Sequence, residues 1–333
     1  MLQGHQSWIF NNKPVILSSS AVGGPFEAKG PLAKDFDILH QDTRLGQDSF
    51  EKAEKKLIEQ ACEIAIHKAK IKKEDINFFL CGDLMNQIIS SSFAARTLAI
   101  PFLGLYGACS SSMEGLSLAA LMIDSKAAEY ALAATSSHNS ASEKQYRYPT
   151  EYGAQKPPTA QWTVTGSGAV LLGQRGEGPK VTCATIGRVV DMGLSDPFNM
   201  GTAMAPAAVD TIQAHFRDLN RDPSFYDLIA TGDLGRVGHR IAGDLLRDHG
   251  LEIPPEIFTD CGILIYGDKQ PVMAGGSGCA CSATTTYGHF FKRMHKGELK
   301  RILIVATGAL LSPLSYQQKE SIPCVAHAVS IEM

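Results

Sequence analysis

Gly107-Ala108-Cys109-Ser110-Ser111-Ser112 is the stretch whose reading decides the fold. The uncharged run Ile100 to Tyr106 leads into it, and a helix-like run from Met113 to Ile123 leads out. The pattern predicts a buried segment that turns into a helix, with Cys109 at the turn. The first N–H groups of a helix have no partner within it, and the helix dipole places partial positive charge there. That end favours a thiolate or a bound anion. Cys109 and Ser110 are therefore candidates for the floor of a functional pocket, while Ser111 and Ser112 also suit helix capping.

Working outward, the same order of elements occurs twice. In the first half a strand begins at Pro14. Phe50 to Lys70 is an amphipathic helix, with Ala53, Leu57, Ile58, Ala61, Ile64 and Ala65 at helical spacing. A strand from Ile76 to Leu80 ends at Gly82-Asp83-Leu84, and a helix over Ser90 to Ala99 follows. After the Cys109 turn come a strand from Tyr130 to Thr135, a polar loop, and a strand from Ser167 to Leu172. In the second half, the turn and strand from Asp222 to Thr231 end at Gly232-Asp233-Leu234, and a helix over Val237 to His249 follows. Gly275-Gly276-Ser277-Gly278-Cys279-Ala280-Cys281 is the positional partner of the Cys109 turn, with a helix predicted from Ser282. Strands from Arg301 to Thr307 and from Ile322 to Ile331 complete the copy. Met113 to Ala120 carries a single charge, so its helix should be buried on all sides. The two central helices should then pack between two sheets, giving an α/β fold of five layers, α-β-α-β-α. The boundary falls near Gly173 to Lys180, dividing the chain into halves 1–175 and 176–333.

Bulk composition excludes several classes. The 333 residues carry a net charge of -3, which gives no electrostatic case for nucleic acid. Eight cysteines sit mostly in apolar runs, as reduced buried thiols do, and Cys279 and Cys281 lack a second ligand pair for a metal. No cofactor is implied. The segment Met1 to Phe10 lacks the pattern of a signal peptide, and no run reaches the length of a membrane span.

Two mirrored halves with a Cys at the start of the first buried helix resemble the thiolase superfamily, and the Ala-Cys-Ser surround resembles its condensing enzymes. That resemblance implies an acylated Cys109 served by a His and an Asn (or a second His) from the second half. The matching positions read Thr231-Gly232-Asp233 and Gly276-Ser277-Gly278, with neither partner present. Longer motifs, among them Ala134 to Asn139, Tyr148 to Gly153, Thr163 to Val170, Gly275 to Ser282 and Ala306 to Pro313, resemble the stage V sporulation AD family end to end. This second resemblance implies a thiolase-like fold used for non-catalytic binding of dipicolinic acid, free or as the calcium chelate. It further implies uptake of that ligand into the developing spore and release in germination. The chain would work peripherally at the spore inner membrane with proteins of the same operon, paired as a homodimer.

The residues expected to bind are Cys109, Ser110, Ser136, Ser137, His138, Arg147 and Ser277. Ser136, Ser137 and His138 follow a strand, where parallel sheets meet ligands. Arg147, between Tyr146 and Tyr148, suits a carboxylate beside an aromatic ring. The diacid's carboxylates are expected at the Cys109 helix start, with its ring near Ser136 to His138. Asp83 and Asp233, equivalent in the duplication, are expected to share a structural role. The rival expectation is an acyltransferase or thioesterase with Cys109 as nucleophile and His138 as base. A scaffold that has lost its small ligand is the third.

Overall fold

The computed structural model describes residues 1–146 and 156–333. In the first half, strand β1 (Val15–Gly23) is followed by α1 (Phe50–Ala69), β2 (Phe78–Gly82), α2 (Ile89–Leu98), β3 (Phe102–Gly104), α3 (Ser111–Asp124), β4 (Tyr130–Ser137), α4 (Asn139–Tyr146) and β5 (Gly166–Gly173). In the second half come β6 (Lys180–Ile186), α5 (Met200–Leu219), β7 (Leu228–Thr231), α6 (Gly235–Asp248) and β8 (Phe258–Asp260). The central helix α7 opens at Cys279–Thr284 and runs through a wide turn, Thr285–Phe290, into Phe291–His295. Strands β9 (Arg301–Ala309) and β10 (Cys324–Glu332) follow.

The strand order is β3-β2-β4-β5-β1 in one half and β8-β7-β9-β10-β6 in the other. Position for position the two orders are the same. In each half the first three strands of that order are parallel and the last two pairings antiparallel. The halves join edge to edge where Lys180 pairs with Val15, and Ser7–Ile9 of the first half pair with Cys183, Ala184 and Thr185 of β6. Most of the core strands are buried along their length, as sheets covered on both faces are.

Each layer has its own apolar cluster. On one side of the first sheet Leu57 and Ile58 of α1 pack with Phe79, Leu132 and Leu171. The outer layer of the second sheet sets Met204, Ile212 and Phe216 of α5 against Ile229, Leu303 and Val305. Between the sheets, Met113, Leu116 and Ile123 of α3 share a cluster with Cys281, Phe290 and Phe291 of α7. This is the five-layer α/β arrangement that the charge-poor central helices predict. Among the described residues no helix is long and apolar enough to cross a membrane.

Four local expectations change. The run before Cys109 is an edge strand rather than a buried segment: β3 pairs only with β2, and Leu103 is 42% exposed. Helix α7 starts at Cys279, three residues before the predicted Ser282. The strand from Tyr130 continues to Ser137, and the expected loop after it opens with α4. Helix α5, for which the pattern gave no prediction, is 20 residues long with Pro206 inside it.

Leu116, fully buried between the sheets, supports both halves at once. Leu116→Ala should cost about 2–5 kcal/mol of folding stability through its cavity. Denaturant titration followed by circular dichroism measures it. A loss below 1 kcal/mol would show that the central layer repacks freely.

Candidate functional site

The turn Ala108–Ser110 precedes α3, and Ala108 takes a left-handed conformation (φ 48°) to make it. The turn consumes most of its own polar groups. Ser110 N donates to Gly107 O at 3.0 Å and Ser110 Oγ to the same oxygen at 2.6 Å. Ser111 N and Ser111 Oγ donate to Ala108 O, the latter at 2.8 Å. Free N–H groups of Ser110 and Ser111 are thus not offered to a ligand, contrary to the expectation from the helix start.

A cleft opens beside Cys109. It is lined by Leu84, Ser142, Tyr146, Thr163, Met200 and Ser277 with Ala309 and Leu311, and about 30 Å³ of it is open to the centre of a water molecule. That is room for roughly two waters. None of these lining residues is charged. Tyr146 donates its hydroxyl to Leu84 O, and Gln145 Nε2 donates to the same carbonyl at 3.0 Å. Ser142 is 2% exposed, and its Oγ has no hydrogen-bond partner among the described residues. A buried, unpaired hydroxyl costs free energy unless something in the cleft bonds to it.

Behind the floor lies Asp233. Its Oδ1 accepts from Thr307 Oγ1 at 2.8 Å, and its Oδ2 accepts from Gly278 N at 2.9 Å and Ser277 Oγ at 3.2 Å. The Cys109 thiol lies close enough to feel the charge of the same carboxylate. Burial raises the Asp233 carboxyl to about 6, against the lowering pull of its donors. Burial likewise holds the Cys109 thiol well above the usual thiol range, and the Asp233 charge adds to the rise. The expected thiolate is therefore disfavoured here: the nearest charge is an anion, which outweighs a helix start whose amides are already bonded.

The predicted residues separate. Cys109 and Ser277 line the cleft. Ser137 sits beside it, with its Oγ donating to Val164 O at 2.7 Å and accepting from Ala280 N at 3.2 Å. Gly278 (φ 97°) lies against this hydroxyl, and a Cβ there would come within 2.6 Å of Ser137 Oγ. Ser110 is turned into its own turn. Ser136 points to the other face of the sheet, donating to Glu54 Oε1 of α1 at 2.9 Å. His138 is buried, and burial lowers its pKa. Its Nε2–H donates to Thr43 O at 2.8 Å, its Nδ1 accepts from Ser140 N at 3.2 Å, and its ring lies 5.2 Å from that of Phe50. Both ring nitrogens are committed away from Cys109. Arg147 and Tyr148 lie outside the described residues. Asp83 keeps a structural role, accepting from Met85 N, Ser91 N and Ser91 Oγ at 2.8, 2.7 and 2.6 Å. Asp233 likewise accepts a backbone amide, from Gly278 at the start of α7 rather than from its own following helix. Sequence reasoning also missed Ser142, Thr163 and Met200, which no local pattern distinguishes.

The layers, the strand order and a cysteine turn at the first central helix define a thiolase-like condensing-enzyme fold. Solved structures agree. The 3-oxoacyl-[acyl-carrier-protein] synthase III of Aquifex aeolicus aligns over 96% of this chain and 100% of its own with a TM-score of 0.60 at 11% identity. Xanthomonas campestris OleA, bound with cerulenin, aligns over 98% of both chains with a TM-score of 0.64 at 15% identity. Residues 4–332 match the family model of stage V sporulation protein AD (SpoVAD). The stage V sporulation protein AD of Bacillus subtilis (strain 168) is 51% identical over 331 residues, covering 99% of this chain and 98% of that protein. The chain belongs to the SpoVAD family, which gives it a role in sporulation.

Asp233 also makes stability depend on pH. Its folded pKa, about 6, lies above the ordinary 3.8, so its contribution is complete below 3.8 and lost as pH rises through 6. The stability margin of the native protein over Asp233→Asn should shrink by about 2 kcal/mol from pH 4 to pH 7. Urea unfolding at the two pH values checks this, and a margin that widens would contradict it.

Proposed function

We propose that this chain binds dipicolinic acid in the cleft beside Cys109 without chemistry at the thiol, and that it serves uptake into the developing spore and release in germination. The observation that carries the proposal is the unpaired Ser142 hydroxyl, which faces an otherwise uncharged cleft. It supplies a donor for a carboxylate, with Thr163 alongside, while the Ser277 hydroxyl is held by Asp233. SpoVAD membership supports the sporulation context. The electrostatics favour the calcium chelate, in which the metal cancels the two carboxylate charges, over the free dianion facing Asp233. Entry of the planar ring requires the Tyr146 and Met200 side chains to swing aside.

The enzyme reading receives less support. An acyl transfer through Cys109 needs a thiolate and a base near it. His138 spends both ring nitrogens elsewhere, and Asp233 opposes ionisation of the thiol. Function at the spore inner membrane and action with proteins of the same operon belong to this proposal. So does a homodimer, for which β3 offers an edge strand. Its residues Phe102 to Gly104 carry no charge to block pairing.

Calorimetry with dipicolinate, with and without calcium, tests the binding. A 1:1 heat that strengthens with calcium is expected, and no heat in either arm overturns the proposal. Cys109→Ser should keep the affinity within about threefold, because no bond to sulfur forms. A stable mass adduct on Cys109 after incubation with acyl-CoA would favour the enzyme instead.

Sedimentation velocity should show a dimer, and Leu103→Lys, which places a charge on the exposed edge, should shift it to monomer. A native monomer rejects this use of β3.

A further inference from the structure

We propose that a groove on the outer layer of the second half, between α6 and the loop that leads to β8, binds a free α-amino acid with an apolar side chain. This goes beyond the dipicolinate proposal and does not rest on it, since none of the groove's residues lines the cleft beside Cys109. The groove measures about 290 Å³, at the small end of ligand pockets. Leu246, Ile253 and Phe258 form its apolar part, and His239, Arg240 and Glu252 bring polar groups to it. Nε2 of His239 is buried and has no hydrogen-bond partner among the described residues. The ring is held against Phe258, with centroids 4.3 Å apart and planes inclined by 32°. Burial lowers the His239 pKa against the pull of the Asp260 charge, so the imidazole is neutral at pH 7. A neutral ring nitrogen left buried and unpaired costs free energy unless a ligand supplies its bond.

The charges on the lining fall into two sets. Asp244 and Arg247 pair with each other at 3.3 Å. Arg240 and Glu252 are exposed and opposite in sign, yet neither has an ion-pair or hydrogen-bond partner among the described residues. One free cation and one free anion beside an apolar floor suit a ligand that carries both charges and an apolar body. Its carboxylate takes the Arg240 guanidinium fork, where two parallel hydrogen bonds can form. Its ammonium meets Glu252, and its side chain covers Leu246, Ile253 and Phe258. An apolar acid leaves Glu252 unpaired and an apolar amine leaves Arg240 unpaired, while a dianion meets both Glu252 and Asp244 as like charges. Each exposed pair is weak alone, so selectivity comes from meeting both at once.

Saturation-transfer NMR titration of the full chain tests the proposal with three probes: L-leucine, 4-methylpentanoate, which lacks the ammonium, and 3-methylbutylamine, which lacks the carboxylate. Saturable binding of L-leucine is expected, with each fragment about fivefold weaker or more for the loss of one exposed pair. Arg240→Glu and Glu252→Lys, which set like charges against the ligand, should each weaken leucine binding about tenfold or more. Both positions are exposed, so the variants should keep the native circular dichroism and thermal midpoint. Dipicolinate calorimetry on them should match the native chain, which separates this groove from the cleft. No saturable leucine signal, or variants that bind leucine like the native chain, would overturn the proposal. Binding of 4-methylpentanoate as tight as that of leucine would assign the groove to an apolar acid and overturn the amino-acid assignment.

Discussion

The rest of the structure depends on how the two central helices meet. Cys279 Sγ, at the start of α7, donates to Ala108 O at 3.0 Å, and Ser112 and Ser282 share a hydrogen bond of 2.7 Å. Helix starts that close leave no room for side chains where the strands pass them. A Cβ on Gly308 of β9 would lie 2.2 Å from Gly107 O. The cysteine turn is thus clamped between the partner helix and a strand of the other half. The cleft exists because this clamp holds Cys109 and Ser277 at its floor while α4 and α5 bring Ser142, Tyr146 and Met200 over it.

The same clamp fixes the electrostatics. Gly278 N and Thr307 Oγ1 hold the Asp233 carboxylate, whose charge acts on the Cys109 thiol. A cationic neighbour would lower the thiol's pKa, whereas an anion raises it, and burial acts in the same direction. The fold keeps a turn suited to a nucleophile while surrounding it with groups that hold the sulfur protonated.

The fold was legible because the duplication is written in repeated local signals. Gly82-Asp83-Leu84 and Gly232-Asp233-Leu234 mark the same strand end, and the charge-poor helices mark the central layer. Helix α5 was overlooked although Ala205, Val209, Ile212 and Phe216 recur at helical spacing, because Pro206 within its first turns reads as a helix breaker. The site was less legible for a geometric reason. Ser136 and Ser137 are neighbours in sequence, but the strand continues through both, so they face opposite sides of the sheet. One reaches Glu54 of α1 and the other the neighbourhood of the cleft. Sequence equivalence held for the aspartates in kind, since each accepts a backbone amide, but not in the helix it serves. The carboxylate that receives the amides at the start of α6 is Asp260, which accepts from Leu234 N at 2.9 Å and Gly235 N at 3.0 Å. Asp233 is thereby released to face Cys109. Ser142 was invisible because a serine in a polar helix carries no signal until its surroundings show the hydroxyl unpaired.

A cleft with hydroxyls but no charge, backed by a buried carboxyl with a pKa raised to about 6, constrains what it can hold. A dianion placed there would lose hydration and meet a like charge, a cost that neutral donors such as Ser142 and Thr163 offset only in part. On the proposed function the cancelling charge must travel with the ligand, as calcium does in the chelate, or arrive as a proton on Asp233. A neutral chelate also suits transport better than tight storage. Held by hydroxyls alone, it binds through hydrogen bonds of modest net value, and nothing in the described cleft offers it an ion pair that would slow its release.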